Sequence, residues 1–133
     1  MGDRANIVIK DNDSQVWLYG HWGGDTYITA VHSTLNRHAR WNDAPYLARM
    51  LFDAYTDGTS GQETGFGIDT SMGDNEHPII VVDVALQSVY FVKEKNLEGR
   101  RIPDPDNYTP AQVWTFQTFS ELAPDHLPSG YTE

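Results

Sequence analysis

The chain has 133 residues, 39% of them hydrophobic and 12% aromatic, with no cysteine and a formal net charge of −10. This length suits one domain with an ordinary core, and the lack of cysteine excludes disulfides, thiolate zinc sites and cysteine nucleophiles. Between Arg49 and Lys93 lie seven acidic residues and no lysine or arginine, so the charge disfavours direct binding to nucleic acid or an acidic membrane and would attract a basic protein partner.

A β-hairpin is predicted at the start of the chain. Residues 5–10 indicate a strand with Ile7 and Ile9 on one face and Val8 on the other. A turn cluster of Asp, Asn and Ser follows, and residues 15–21 form the returning strand. Because alternate side chains of a strand point to opposite faces, this second strand presents a row of rings on one face. The row consists of Trp17, Tyr19 and His21.

Two helices are predicted after the adjacent glycines that end this strand. Asp25 or Thr26 is the expected N-cap of the first helix, and its apolar residues recur at helical spacing. Asp43 is the expected N-cap of the second helix, with Pro45 in its first turn and Gly58 as its stop. The buried face of the first helix is expected to contain Ile28, Val31, Leu35 and Ala39.

Three strands are predicted in the second half, at residues 64–71, 79–86 and 89–93, and together they are interpreted as a meander. A polar surface loop follows. Residues 113–119 alternate β-branched and aromatic side chains, which favours a last strand, whereas the sequence Thr-Pro-Ala-Gln at 109–112 resembles the start of a helix.

This order of elements does not alternate strand and helix, which argues against a doubly wound parallel sheet. We therefore expect an α+β domain over residues 1–123, followed by a loose tail at residues 124–133. The expected sheet is mainly antiparallel with about five strands, and the two helices pack on one of its faces.

The junction between the second strand and the first helix is the first candidate site. Glycines before a helix can expose backbone amides to an anion, which suggests binding or hydrolysis of a nucleotide. The spacing matches neither the P-loop nor the dinucleotide fingerprint, so a tight turn that requires glycine is the alternative. The ring row could instead contact a partner, or complete a core beneath Trp114 and Phe116. The candidate residues are Trp17, Tyr19, His21, Trp22, Gly23 and Gly24.

A second candidate is an acidic surface for a basic partner. Its candidate residues are Asp69, Asp74, Glu76 and Asp83. Asp83 interrupts an apolar strand, so either this face of the strand is exposed to water or the carboxylate interacts with a partner group. No catalytic, metal-binding or cofactor motif is present. We therefore expect a binding protein rather than an enzyme, with self-association into a homo-oligomer as another alternative.

Four segments resemble a group of small uncharacterised proteins encoded by bacteriophages, prophages and bacterial, notably actinobacterial, chromosomes. The segments are MGDRANIVIK, LYGHWGG, RWNDAPYLARMLFDA and ETGFGIDTSMGDNEHPIIVVDV, and they fall within residues 1–92. The group has no established activity. The resemblance implies an accessory protein of a phage or mobile element, whose partner would be a host protein or defence component. With no apolar run of about 18 residues and no signal-peptide core, we expect a cytoplasmic protein.

Overall fold

The structure is a computed structural model that describes residues 2–57, 65–103 and 110–128. Within these ranges, six strands form one sheet. They are β1 (Ala5–Asp11), β2 (Ser14–Gly20), β3 (Phe66–Asp69), β4 (Ile79–Asp83), β5 (Ser88–Val92) and β6 (Val113–Thr115). The α-helices in the same ranges are α1 (Tyr27–Leu35), α2 (Ala44–Thr56) and α3 (Phe116–Ser120).

The sheet has the order β3-β2-β1-β4-β5-β6, and only β1 and β4 run parallel to each other among the described pairs. The expected α+β class is confirmed, but the sheet is larger than five strands and partly parallel. The predicted meander is wrong in its first step, because β3 pairs with β2 and β4 pairs with β1, whereas the antiparallel pairing of β4 with β5 is as predicted. Every residue of β4 is buried, as suits a central strand, whereas β3 is partly exposed, as suits an edge.

One face of the sheet carries the helices, as expected. Ile7 and Ile9 of β1 and Leu18 of β2 point to this face and pack in one core with the apolar sides of α1 and α2. Phe116 and Phe119 of α3 join the same core. The alternation in β1 and β2 therefore gave the correct side for each apolar residue.

The other face is covered by irregular chain. Trp17 and Val8 lie in a second core, where Met72 and Ile102 come from segments outside the sheet. Trp114 packs against the helix-side core instead. The suggestion that Trp114 and Phe116 cover the ring row is therefore wrong, because both belong to the opposite face.

The C-terminal segment contains both predicted alternatives in sequence. Residues 113–115 form β6, and α3 begins directly afterwards. Thr115 caps this helix, because its hydroxyl accepts a hydrogen bond from the amide of Thr118 at 3.0 Å. The prediction of one continuous strand to residue 119 is wrong. The capping sequence proposed from Thr109 begins outside the described residues.

The helix boundaries match the sequence at some ends and differ at others. Asp43 is the N-cap of α2 and accepts from the amide of Tyr46 at 3.3 Å. α1 ends at Leu35, four residues before Ala39, the last residue of the predicted apolar face. Gly58, the predicted stop of α2, lies outside the described residues. No described helix has the length and apolar character needed to cross a membrane.

The connector between α1 and α2, residues 36–43, has an unusual backbone. His38 and Arg40 adopt left-handed conformations with φ of 53° and 62°. The ring of His38 packs at a tilt of 35° against that of Trp41, with centroids 4.9 Å apart. Non-glycine residues enter this region at a cost, so the connector is held in place by its contacts.

Candidate functional site

Three backbone hydrogen bonds fix the turn between β2 and α1. The amide of Asp3 donates to the carbonyl of His21 at 2.8 Å, and the amide of Gly24 donates to the carbonyl of Asp3 at 2.9 Å. The amide of His21 donates to the carbonyl of Gly65 at 2.9 Å. Gly23–Asp25 then forms one turn of 3-10 helix. The turn is therefore clamped between the N-terminal segment and the residue that precedes β3.

The two glycines of this turn are required by close packing. A Cβ atom at Gly23 would overlap the hydroxyl of Tyr55, which donates to a carbonyl of β1 at 3.1 Å. A Cβ atom at Gly24 would overlap the carboxylate of Asp3 and the ring of His77. The tight-turn explanation of the glycines thus has direct support. The hypothesis of nucleotide binding at this junction stays a prediction. The amide of Gly24 is already hydrogen-bonded, and the negatively charged carboxylate of Asp3 lies beside it.

A hydrogen-bonded pair of side chains lies beside the junction and joins distant parts of the chain. Nε2 of His77 is 2.5 Å from Oδ1 of Asp3, and the His77 ring lies 5.7 Å from that of Tyr27. This pair was not predicted from the sequence. Its members are separated by the whole first half of the domain, and neither residue belongs to a recognisable motif.

The predicted ring row divides into buried and exposed members. Trp17 is completely buried, and its indole N–H donates to Oε1 of Gln15 at 3.2 Å. Tyr19 is half-buried, and its hydroxyl lies 3.1 Å from Nδ1 of His21. Trp22 is 62% exposed and packs edge-on against His21, with centroids 4.6 Å apart. Trp17 is therefore a core residue, and Trp22 is the ring that a partner could contact.

Asp83 does not belong to an acidic surface. It is 1% exposed, and Oδ2 accepts a hydrogen bond from the hydroxyl of Tyr90 at 2.9 Å. Oδ1 accepts from the amide of Leu86 at 3.1 Å. Of the two possibilities for this residue, the carboxylate with partners is confirmed, because burial without them would be too costly.

The other three acidic candidates are exposed. Glu76 accepts from the backbone amide of Arg4 at 2.8 Å, and the Arg4 guanidinium lies 3.5 Å from Glu76 and 4.0 Å from Asp74. Asp69 accepts from the amide of Thr70 at 2.6 Å. Arg4 thus offsets part of the negative charge of this segment.

A groove between α1 and α2 was not predicted as a site. It has a volume of about 580 Å³, and three arginines line it. Nothing in the sequence brings these arginines together, because Arg49 lies on α2, whereas Arg37 and Arg40 lie in the connector that follows α1. The signal available in the sequence was their concentration in an otherwise acidic chain.

In the part of the chain that the structure describes, no three His, Asp or Glu side chains are placed to hold a metal ion. Comparisons with protein-family models, with curated protein sequences and with solved structures find no match.

Proposed function

We propose that this protein is a non-enzymatic binding protein that contacts a basic protein partner through Trp22. The observation that carries the proposal is a 62% exposed indole on a turn held by three backbone hydrogen bonds. A fixed aromatic side chain loses little conformational entropy on binding, and Trp is enriched among the residues that dominate interface energies.

The charge around this indole supports a basic partner. Asp25 is exposed three residues after Trp22, and the side chain of Asp3 beside the turn is 36% exposed. The whole chain has a net charge of −10. Such a field speeds encounter with a positively charged surface and disfavours acidic competitors.

The resemblance to phage and prophage proteins supports the choice of partner class. We propose that the partner is a host protein, either one that binds nucleic acid or one that belongs to a defence system. Binding an acidic protein would occupy the basic surface that such a partner uses for nucleic acid.

The experiment is affinity capture from an actinobacterial lysate, with the wild-type protein, Trp22→Ala and Leu86→Ala as baits. Leu86 is the matched control because it is a large apolar residue with 60% exposure on a different turn. We expect the wild type and Leu86→Ala to capture the same protein, and Trp22→Ala to bind it about tenfold more weakly or worse. Titration calorimetry with the purified partner measures the change, and its affinity should fall as salt rises.

Two outcomes contradict the proposal. One is equal capture by Trp22→Ala, and the other is the absence of any protein above background with the wild type. Unfolding curves of both variants show whether either one binds more weakly only because it is less folded. Light scattering on the wild type separates partner binding from self-association.

A further inference from the structure

The groove between α1 and α2 concentrates positive charge in an acidic protein. Three of the nine lysines and arginines of the chain line it. They are Arg37, Arg40 and Arg49. Because residues 50–92 contain no Lys or Arg, this is a local basic site on a chain whose overall field is negative.

Two of the arginines are held in position by a shared ring. The guanidinium carbon of Arg40 lies 4.4 Å from the centre of the Tyr46 ring, and that of Arg49 lies 4.8 Å from it. Arg49 also bonds to Asp53 at 2.6 Å, and Arg40 lies 3.8 Å from Asp43. Arginines held in this way lose less side-chain entropy when they bind an anion.

The third arginine, Arg37, has no ion-pair partner among the described residues. It is exposed and lines the groove. Counting only residues that the structure describes, two carboxylates lie near three guanidinium groups, which leaves a net positive charge in the groove. An anionic group would complete this arrangement.

A buried hydroxyl also lines the groove. Thr34 is 2% exposed, and within the described chain its Oγ1 has no hydrogen-bond partner. The neighbouring Ser33 behaves differently, since its hydroxyl donates to the carbonyl of Ala30 at 3.2 Å. Buried hydroxyls are normally bonded, so the Thr34 hydroxyl is a donor that a ligand could engage.

We propose that this groove binds a small phosphorylated molecule of about mononucleotide size. Guanidinium groups recognise phosphate oxygens through paired hydrogen bonds, and Arg37 supplies one that has no ion-pair partner among the described residues. The volume of 580 Å³ lies within the range of about 300–1,000 Å³ that small-molecule sites occupy. The net charge of −10 favours a compact anion over a polyanion, whose remaining phosphates would extend over acidic surface.

The site is separate from the Trp22 turn, so this inference does not depend on the proposed function. Arg37 and Arg40 follow the C-terminal end of α1, whereas the Trp22 turn precedes its N-terminal end. Loss of binding at one site should leave the other site intact.

Titration calorimetry with ATP, inorganic phosphate and adenosine tests the proposal. We expect ATP to bind the wild type and adenosine not to bind. Arg37→Ala should weaken ATP binding about tenfold or more, because a charge-assisted hydrogen bond is lost. Lys95→Ala is the matched control, since it removes one exposed positive charge outside the groove and should change the affinity less than about twofold.

Further titrations show which part of the ligand the groove recognises. If inorganic phosphate binds as tightly as ATP and Arg37→Ala weakens both, the phosphate group alone is the ligand. Thr34→Val, which removes the hydroxyl at nearly constant volume, should weaken ATP binding and leave capture through Trp22 unchanged. Arg37→Gln is a second charge-removing variant, and the unfolding curves of both Arg37 variants show whether they are folded.

Three results overturn the proposal. They are the absence of binding of ATP and inorganic phosphate to the wild type, unchanged ATP binding in a folded Arg37→Ala or Arg37→Gln protein, and tighter binding of an oligonucleotide than of ATP. Amide shifts in a nitrogen-15 spectrum of the wild type with ATP locate the ligand. Shifts confined to the Trp22 turn would also contradict this site.

Discussion

Gly23 is the residue whose replacement should disturb the Trp22 turn most directly. An alanine there would place its Cβ against the hydroxyl of Tyr55, which is buried and bonded to the backbone of β1. We expect Gly23→Ala to lower the free energy of unfolding by about 1–3 kcal/mol, as overpacking does in a filled core. Urea unfolding measures the change.

Gly67→Ala is the control for this substitution. A Cβ at Gly67 would meet its nearest neighbour, Cδ2 of Tyr19, at 4.0 Å, and β3 is partly exposed. We expect this variant to unfold within about 0.5 kcal/mol of the wild type. If both alanines destabilise equally, close approach to Tyr55 is not the reason for Gly23.

Tyr55 should also make stability depend on pH in alkaline solution. Burial raises the pKa of its hydroxyl above the ordinary value of 10.0, with smaller contributions from Tyr27, Tyr19 and Asp3. The unfolded chain therefore releases this proton at about pH 10, where the folded chain still holds it. The contribution of the protonated Tyr55 hydroxyl to the free energy of unfolding is complete below pH 10 and is lost as the pH rises further.

The measurement is urea unfolding at several pH values from neutral to strongly alkaline, with wild type and Tyr55→Phe compared. Above pH 10, the wild type should lose up to about 1.4 kcal/mol per pH unit more than the variant, which is the linkage of one proton. Parallel curves for the two proteins would mean that Tyr55 does not titrate differently on folding.

Among the elements, the two longer helices begin in chemically different ways. Asp43 caps α2 through a hydrogen bond to the amide of Tyr46, whereas Thr26 precedes α1 without a side-chain cap bond. We expect Asp43→Ala to cost about 1 kcal/mol in unfolding free energy. Thr26→Ala should cost no more than a few tenths of a kcal/mol. Thermal unfolding of the pair checks this difference, and an equal loss in both would contradict it.

The connector between α1 and α2 holds a groove arginine in an unfavourable backbone conformation. Left-handed conformations at His38 and Arg40 cost about 1 kcal/mol each for residues with a side chain. Glycine would remove this cost but also the Arg40 guanidinium that packs on Tyr46. The chain keeps an arginine at a position where glycine fits the backbone better.

Among the elements, the features predicted correctly are those that depend on residues close together in sequence, such as the faces of a strand and the cap of a helix. Alternation in residues 15–21 placed Trp17 opposite Leu18, and the structure has them in different cores. The cap at Asp43 was equally readable, because a cap depends on neighbours in sequence. Periodicity does not identify the neighbour of a strand, so the pairing of β4 with β1 could not be derived.

The candidate site was predicted less well for the same reason. Trp17 is buried in a core with Met72 and Ile102, which reach the second face from irregular segments without a sequence signature. The pairing of Asp3 with His77 and the meeting of Arg37 with Arg49 likewise depend on tertiary structure. Residue type showed which side chains could act, and only folding showed which of them meet.

For the whole molecule, the parallel pair of β1 and β4 has a consequence for how the protein forms. β1 can pair with β2 as soon as the hairpin is made, but its other edge stays open until β4 has been synthesised. Contacts so distant in sequence raise the contact order and slow folding. During translation the nascent chain therefore exposes an apolar strand edge through the synthesis of both longer helices, and chaperones would meet it at that stage.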